Sequence, residues 1–436
     1  DVERSRGLGD VYKRQGYEMT DDERQADIIV INTCCFIHDA KEESINTILE
    51  MAQYKEQNLK ALVVAGCLAE RYKDEILKEI PEIDAVLGTT SYDSIVEAVN
   101  TALEENTGEH FEHYESIDYL PDNSEVERVV TTGNHMAYLK IAEGCDKRCS
   151  YCIIPKIRGR FRSVPMQELL NEAKRLASEG VKELVLVAQE TTLYGKDLTG
   201  EKQLPLLLHE LCKIEGIEWI RLLYCYPEEI TDELIKVIKT EEKVCNYIDM
   251  PIQHSENRIL QRMGRRTSRE DLVAVIKKLR KEIPDITIRT TLITGFPGES
   301  QEDHEGLMNF VEECQFDRLG VFTYSPEEDT LAATFEDQID EEVKEERRDE
   351  LMSLQQEISY EHTQQLVGKT IKVMVEGYLF EDDIYVGRSY MDAPKVDGCV
   401  FINSPEELMT GDFVYVKITQ GREYDVIGEV DYEFTK

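Results

Sequence analysis

Short apolar runs alternate with amphipathic stretches along most of this chain, and that alternation restricts its fold more than any other feature. Apolar runs at 28–31, 61–65 and 85–87 are predicted as buried strands. Each is followed by a stretch with helical spacing of its apolar residues. Strands that alternate with helices form a parallel sheet with helices on its faces. The pattern therefore predicts a small parallel α/β domain over residues 16–104.

A second series of alternating strands and helices begins near residue 137. Six strand–helix units are too few to close an eight-fold barrel. The series therefore predicts a partial (β/α)6 barrel over residues 135–365, with its site at the carboxyl ends of the strands and a long charged helix at its end. The candidate strands are 137–142, 183–188, 219–223, 247–249, 286–292 and 319–323.

Beyond residue 365 the apolar residues recur at every second position, which is typical of strands. About five short strands within residues 366–436 predict a small antiparallel β-barrel. Residues 105–134 are polar and poorly periodic, so we predict a linker. Residues 1–15 show neither helical nor strand spacing, and we predict that they are a truncated or non-native start.

The composition excludes several classes of protein. Eighty-nine acidic residues against 50 basic ones give a net charge of −39, which disfavours non-specific binding to nucleic acid. The acidity either attracts a basic partner or only maintains solubility.

No stretch approaches the roughly 18 apolar residues that span a bilayer, and we see no signal peptide. We expect a cytoplasmic protein without membrane association, whose 11 cysteines serve metal or redox chemistry rather than disulfides.

The segment GCDKRCSYC at 144–152 carries the strongest chemical signal in the sequence. Thiolates from Cys145, Cys149 and Cys152 can hold three irons of a [4Fe–4S] cluster and leave the fourth iron open to a small molecule. A zinc site normally takes four protein ligands, or three and a water, and His135 is poorly placed as a fourth. The alternative is that the three cysteines are only structural thiols.

This triad, with Tyr151 before its third cysteine, resembles the radical S-adenosylmethionine (SAM) superfamily. Further motifs resemble its methylthiotransferases, in the right order and over residues 16–436. Residues 387–402 (GRSYMDAPKVDGCVFI) are similar to the subgroup that modifies a ribosomal protein. The other motifs are NTCCFI at 32–37, AGC at 65–67, AQETTLYG at 188–195, DMPIQHSENRIL at 249–260, RMGR at 262–265 and TGFPGE at 294–299.

The resemblance implies an amino-terminal α/β domain, a radical SAM barrel and a carboxyl-terminal TRAM barrel. It implies two [4Fe–4S] clusters and SAM as cofactors. Cys34 and Cys67 match two of three ligands of the second cluster, and the third is expected upstream of Gly16, where this sequence has no cysteine. We therefore expect this chain to cleave SAM but to thiolate its substrate poorly, and we expect a native start to raise the bound iron towards eight. If the present chain already binds eight irons, Cys35 or another group is the third ligand.

The resemblance also implies which side chains contact SAM at the ends of the barrel strands. TGFPGE by itself is equally typical of an ordinary strand-to-helix turn, and His254 by itself is more often a core histidine. The predicted SAM-contacting residues are Tyr151, Gln189, Glu190, Gln253, Gly295 and Pro297. The remaining cysteines, which we interpret as core or incidental, are Cys212, Cys225, Cys245, Cys314 and Cys399.

Basic residues are concentrated between His135 and Pro165, against only two acidic residues there. They form either a rim that holds the SAM carboxylate or an acidic target, or a set of arginines that pairs with acidic neighbours. The seven residues are Lys140, Lys147, Arg148, Lys156, Arg158, Arg160 and Arg162.

The resemblance implies addition of a methylthio group to the β-carbon of an aspartate in small-subunit ribosomal protein twelve. A radical from SAM would remove hydrogen, and a methylated sulfur at the second cluster would quench the carbon radical. One alternative is methylthiolation of adenosine in transfer RNA, and another is a non-catalytic, ribosome-associated iron–sulfur protein. Residues 366–436 contain seven basic and fourteen acidic residues, which favours a basic protein substrate over RNA. Flavodoxin or ferredoxin is the expected electron donor, and the sequence does not identify the sulfur donor.

Overall fold

The computed structural model describes residues 17–18, 20, 22–104, 110–121 and 133–434. The predicted start at 1–15 lies outside these ranges, as does part of the predicted linker. The chain divides into two compact units. The first comprises Asp1–Thr131, Glu143–Val164 and Ser325–Ala333, and the second comprises Thr132–Ala142, Pro165–Tyr324 and Thr334–Lys436. Two stretches of the predicted barrel domain thus belong to the first unit.

The first unit contains a parallel four-stranded sheet whose strands follow chain order. Its first three strands agree with the sequence analysis, whereas the fourth lies inside the predicted linker. The strands are β1 (Ile28–Thr33), β2 (Ala61–Gly66), β3 (Ala85–Leu87) and β4 (Phe111–His113). The helices are α1 (His38–Ala52), α2 (Cys67–Glu79), α3 (Ile95–Leu103) and the one-turn α4 (Ile154–Ile157).

Helices cover both faces of this sheet, which explains why β2 is apolar at every position. Leu62 and Val64 pack into one hydrophobic cluster with Ile48, and Val63 and Ala65 pack into another cluster on the opposite face. Successive residues of a strand point to opposite faces, so a strand between two helical layers needs apolar residues throughout. Each fully buried Val or Leu contributes about 1.5–3 kcal/mol.

The second unit contains an open parallel sheet of six strands in chain order, so the predicted partial (β/α)6 barrel is confirmed. Its strands are β5 (Met136–Lys140), β6 (Glu183–Val187), β7 (Trp219–Leu222), β8 (Val244–Asp249), β9 (Thr287–Thr294) and β10 (Arg318–Thr323). Its helices are α5 (Met166–Ser178), α6 (Lys196–Thr199), α7 (Leu204–Cys212), α8 (Asp232–Thr240), α9 (Asn257–Arg262), α10 (Arg269–Glu282), α11 (Gln301–Cys314) and α12 (Glu341–Gln364).

The carboxyl-terminal residues form a closed five-stranded barrel, as the period-two pattern predicts. Four strand pairs are antiparallel, and β13 pairs with β15 in parallel. The order around the barrel is β11 (Thr370–Leu379), β12 (Ile384–Ser389), β13 (Val400–Asn403), β15 (Val426–Val430) and β14 (Phe413–Gly421).

None of the helices in the described ranges combines the length and apolar character that a bilayer crossing requires.

This small barrel packs against the amino-terminal ends of the six-stranded sheet. The rings of Trp219 and Phe413 meet edge to face with their centroids 4.8 Å apart. Lys182 Nζ donates a hydrogen bond of 2.7 Å to the carbonyl oxygen of Gly411. The barrel therefore covers the amino-terminal edge of the sheet, which is the edge opposite the predicted site.

A buried ion cluster lies where the small barrel meets the sheet. Glu183 at the start of β6 is fully buried, and its carboxylate accepts from Arg221 Nε at 2.8 Å and from an Arg388 guanidinium nitrogen at 2.6 Å. Arg388 also donates to Glu376 at 2.7 Å. The two arginines satisfy both carboxylate oxygens of Glu183, which makes burial of this charge tolerable.

Candidate functional site

The loop that carries Cys145, Cys149 and Cys152 lies in the first unit and is fixed by backbone hydrogen bonds. Cys145 N donates to Gly159 O at 3.2 Å, and Cys152 N donates to Cys149 O at 3.1 Å. Arg148, between the first two cysteines, adopts a left-handed conformation with φ 55°. Cys145 and Cys149 are buried, and Cys152 is half-buried, as is Tyr151. The fold thus holds three thiols on one short, defined loop.

Gly144 is required where the chain enters this loop. Its φ is 77°, and a Cβ atom there would lie 2.1 Å from the carbonyl oxygen of Arg160. We expect Gly144→Ala to destabilise the protein by several kcal/mol, because the backbone strain of about 1–3 kcal/mol adds to a clash with backbone. Urea unfolding of the purified chain measures this effect.

Gly200→Ala is the matched control for this substitution. Gly200 has a similar φ of 84°, but nothing lies within 4 Å of a Cβ atom there. The control is expected to lose only about 1 kcal/mol, from the left-handed backbone alone. Equal losses in both variants would show that the Arg160 carbonyl does not restrict this loop.

The chemistry of the three thiols on this loop suits an iron–sulfur cluster. Among the described residues, no group of three or more His, Cys, Asp or Glu side chains is placed to hold one metal ion. A cubane differs because each thiolate binds a different iron. None of the 11 cysteines, all of which lie in the described ranges, forms a disulfide. Cys145, Cys149 and Cys152 are therefore suitable donors for a [4Fe–4S] cluster.

Cys34 and Cys67 lie at the carboxyl edge of the first unit's sheet. Thr33 pairs with Gly66 in the register of β1 and β2, and each cysteine directly follows one of these residues. Thr33 Oγ1 donates to Ala65 O at 2.7 Å and accepts from Leu68 N at 3.2 Å, which ties the two strand ends together. The sequence-predicted pair is thus brought to neighbouring positions at one edge, where α/β folds place their sites.

Cys35, the alternative ligand, points into the hydrophobic core. Its side chain is fully buried and belongs to the same apolar cluster as Ile48 and Leu68. Burial, together with a smaller effect of the nearby Cys67, raises the pKa of the Cys35 thiol to about 12. Because a ligand must be a thiolate, this environment makes Cys35 a poor donor. Cys35 is therefore a weaker candidate ligand than the half-buried Cys34.

Arg158 connects Cys67 with the cluster loop inside the first unit. It is only 7% exposed, and it donates a hydrogen bond of 3.0 Å to Cys67 Sγ. A second guanidinium nitrogen lies 3.6 Å from a carboxylate oxygen of Glu143. Burial alone lowers the pKa of Arg158, but Glu143 and Cys67 raise it above its ordinary value. In the basic segment, Arg158 is thus a paired arginine and not part of an open rim.

The second unit places Gln189 and Glu190 after β6, at the carboxyl edge of its sheet. The Oε1 atom of Gln189 is buried and accepts no hydrogen bond from the described residues. Glu190 is fully buried, and its carboxylate accepts from Thr192 N at 3.0 Å. A buried acceptor without a donor is rare in folded proteins, so Gln189 is suited to bind a ligand that carries an N–H or O–H group.

The turns after β8 and β9 are held in unusual backbone conformations. Gln253 has φ 72°, and its backbone N donates to Thr291 O at 2.8 Å. Gly295 has φ 66°, and a Cβ atom there would lie 2.1 Å from the Lys344 side chain. Glu299 accepts from Phe296 N at 3.2 Å and from Arg347 at 3.0 Å, which braces the turn that contains Pro297. Both turns are therefore held by contacts with neighbouring elements, at the carboxyl edge where SAM contacts are predicted.

His254 lies in the core, as its sequence context allows, but its buried Nε2 has no hydrogen-bond partner among the described residues. It is fully buried, and its Nδ1 accepts from Glu256 N at 3.0 Å.

Tyr224 is a candidate that was not predicted from the sequence. It follows β7 with φ 58° and is 41% exposed. A tyrosine in the left-handed region is uncommon and marks a candidate functional position. Nothing in the local sequence LLYCYP signals this conformation.

Three segments of the chain match known protein families. Residues 139–311 match the radical SAM superfamily. Residues 2–88 match the uncharacterised protein family UPF0004, and residues 367–430 match the TRAM domain. The matched order agrees with the arrangement that the motifs predict.

The chain is also similar to curated proteins over nearly its full length. It is 61% identical to the ribosomal protein uS12 methylthiotransferase RimO of Lachnoclostridium phytofermentans, over 96% of this chain and 94% of that protein. It is 50% identical to the protein of the same name from Thermoanaerobacter sp. strain X514, with the same coverage of 96% and 94%.

A solved structure shares the fold at low sequence identity. It is the radical SAM methyltransferase TsrM from Kitasatospora setae, with cobalamin and a [4Fe–4S] cluster bound. The TM-score is 0.56 at 14% identity, over 83% of this chain and 74% of that chain.

Proposed function

This chain belongs to the radical SAM methylthiotransferases of the RimO family, and we propose that it adds a methylthio group to the β-carbon of an aspartate in ribosomal protein uS12. The cofactors are [4Fe–4S] clusters and SAM. We assign the second cluster to residues 16–104, the SAM chemistry to residues 135–365 and the TRAM barrel to residues 366–436.

One structural observation carries this proposal: a single compact unit contains both sets of candidate cysteines. Cys145, Cys149 and Cys152 lie on the braced loop, and Cys34 and Cys67 follow two paired strands. The first set would hold the SAM-cleaving cluster and leave one iron for SAM. The second set would supply two ligands of the cluster that handles the inserted sulfur.

When bound, the cluster and SAM supply a one-electron reductive cleavage of a carbon–sulfur bond in SAM. The residues of this chain bind and orient the reactants. Gln189 Oε1, a buried acceptor without a donor, suits the amino group of SAM. Gly295, at φ 66°, lets the turn after β9 pack closely against Lys344, because a Cβ atom there would lie 2.1 Å from that side chain. Arg158 holds the sulfur of Cys67 through its hydrogen bond.

The charge of the chain suits a basic protein substrate. The net charge is −39, and residues 366–436 contribute −7 of it, from seven basic and fourteen acidic residues. An acidic surface attracts a basic ribosomal protein by electrostatic steering and repels RNA phosphates. We propose that the enzyme acts in the cytoplasm, on uS12 alone or on the ribosome, and receives electrons from flavodoxin or ferredoxin.

Anaerobic incubation of the reconstituted chain with purified uS12, SAM, a sulfide source and a reductant tests the proposed function. We expect a fraction of the uS12, limited by the missing third ligand of the second cluster, to gain the mass of one methylthio group, and tandem mass spectrometry is expected to place it on one aspartate. A parallel reaction contains transfer RNA instead of uS12. Modified adenosine together with unmodified uS12 would contradict the proposed substrate.

A further inference from the structure

Tyr224 is held in a conformation that an aromatic residue rarely adopts. Its φ is 58°, which lies in the left-handed region that favours glycine. Tyr224 N donates to a carboxylate oxygen of Asp249 at 3.0 Å, and Tyr224 O accepts from Thr191 N at 3.0 Å. Such strain persists only where surrounding contacts impose it, and it is concentrated at functional positions.

The contacts that impose this strain extend to the small carboxyl-terminal barrel. The second oxygen of Asp249 accepts from Arg289 at 2.8 Å, directly across the β8–β9 register. Arg289 Nε lies 3.3 Å from Asp397 Oδ1, and the Tyr247 hydroxyl donates to the other oxygen, Asp397 Oδ2, at 2.7 Å. Asp249 and Asp397 have side chains only 4% and 3% exposed. A buried network of hydrogen bonds and ion pairs, formed by Asp249, Arg289 and Asp397 and called the relay below, thus fixes the Tyr224 backbone.

The side chain of Tyr224 is directed differently from those of its neighbours. Leu223 and Cys225 are 8% and 0% exposed, whereas Tyr224 is 41% exposed. The Tyr224 hydroxyl makes no hydrogen bond with any residue that the structure describes. The backbone at this position lies beside the turn after β6, since Thr191 Oγ1 donates to Leu223 O at 2.6 Å and Thr191 N donates to Tyr224 O at 3.0 Å. That turn begins with Gln189 and Glu190, the proposed SAM contacts.

We propose that Tyr224 contacts the protein substrate at the carboxyl edge of the sheet. Its ring packs against the peptide that carries the target aspartate, and its hydroxyl hydrogen-bonds to that peptide. Aromatic faces also attract the lysine or arginine side chains that a basic ribosomal protein supplies. Asp249, Arg289 and Asp397 are positioning residues, which act by holding the Tyr224 backbone. This inference rests on the proposed function, because it takes uS12 as the ligand.

Binding of purified uS12 to the reconstituted chain, measured by isothermal titration calorimetry, tests this contact. We expect Tyr224→Asn to raise the Kd about tenfold, as loss of an aromatic anchor commonly does. Asparagine tolerates the left-handed conformation, so the backbone is retained. Tyr224→Phe, which removes only the hydroxyl, is expected to raise the Kd about threefold. Asp397→Asn is expected to raise the Kd by less than Tyr224→Asn does, because it weakens the relay but leaves the tyrosine ring in place.

Tyr360→Asn is the matched control, because Tyr360 is 47% exposed on α12 and takes no part in the relay. Its Kd should match that of the wild type. An unchanged Kd in both Tyr224 variants, with melting temperatures near that of the wild type, would overturn the contact. If Tyr224→Asn does not fold, an unchanged Kd for Tyr224→Phe overturns it. If the wild type itself does not bind uS12, the proposed substrate fails and this inference fails with it.

Discussion

Replacement of Cys149 by alanine is expected to remove about four iron atoms per chain and to reduce deoxyadenosine formation from SAM to the level without protein. A cubane that leaves one iron for SAM needs all three protein thiolates, so two thiolates do not hold it stably. The measurement is iron analysis after anaerobic reconstitution, followed by quantification of deoxyadenosine with SAM and dithionite.

Cys212→Ala is the matched control for this prediction. Cys212 is a half-buried cysteine at the end of α7, outside every ligand pattern of the sequence. The control should retain wild-type iron content and SAM cleavage. If Cys149→Ala and Cys212→Ala bind equal iron, the loop at 145–152 does not hold the cluster, and the proposed chemistry fails.

Glu183→Ala is expected to destabilise the second unit by about 3–5 kcal/mol, because it leaves two buried arginines without their shared partner. Arg221 and Arg388 both contact the Glu183 carboxylate, and neither is more than 2% exposed. Urea unfolding measures the loss. Glu218→Ala is the control, because Glu218 and Lys372 form a pair at 3.2 Å whose side chains are 49% and 34% exposed. Such an exposed pair contributes about 0–1 kcal/mol.

The buried ion cluster around Glu183 also makes the free energy of unfolding depend on pH. Burial alone raises the pKa of Glu183, but Arg388 and Arg221 outweigh it and lower the pKa from 4.5 to about 2. A carboxyl group whose pKa is lower in the folded state stabilises the fold above its unfolded pKa. That contribution is lost as the pH falls from near 4.5 towards 2. The wild type should therefore lose more stability than Glu183→Gln between pH 5 and pH 3. Parallel losses would contradict the role of this carboxylate.

The sequence predicts most of the fold because the buried strands are apolar throughout. β2 is buried at all six positions between two helical layers, and its residues 61–65 are apolar. The strand β4 was not predicted, since Phe111–His113 is only three residues long and none of the three is fully buried. It pairs with β3 through backbone hydrogen bonds, which leave no pattern in the side chains.

The candidate site, too, has features that the sequence predicts and features that it does not. The spacing of Cys145, Cys149 and Cys152 is local, so it is visible in the sequence. The burial of Arg158 was not predicted. Its partner Cys67 is distant in sequence, and its other partner, Glu143, lies on the far side of the loop at 145–152. The backbone of Tyr224 depends on Asp249, 25 residues further along the chain. Contacts of this kind arise from tertiary structure and not from residue type.

The pairing of Arg158 with Cys67 has a consequence for the exchange of modules between related enzymes. A chimera joined after the first α/β sheet would take Cys67 from one parent and Arg158, with Glu143, from the other. A mismatch there would leave a buried guanidinium without its sulfur acceptor. Residues 143–164 therefore need to be inherited together with the amino-terminal sheet, although they lie beyond the polar segment that a designer would choose as the junction.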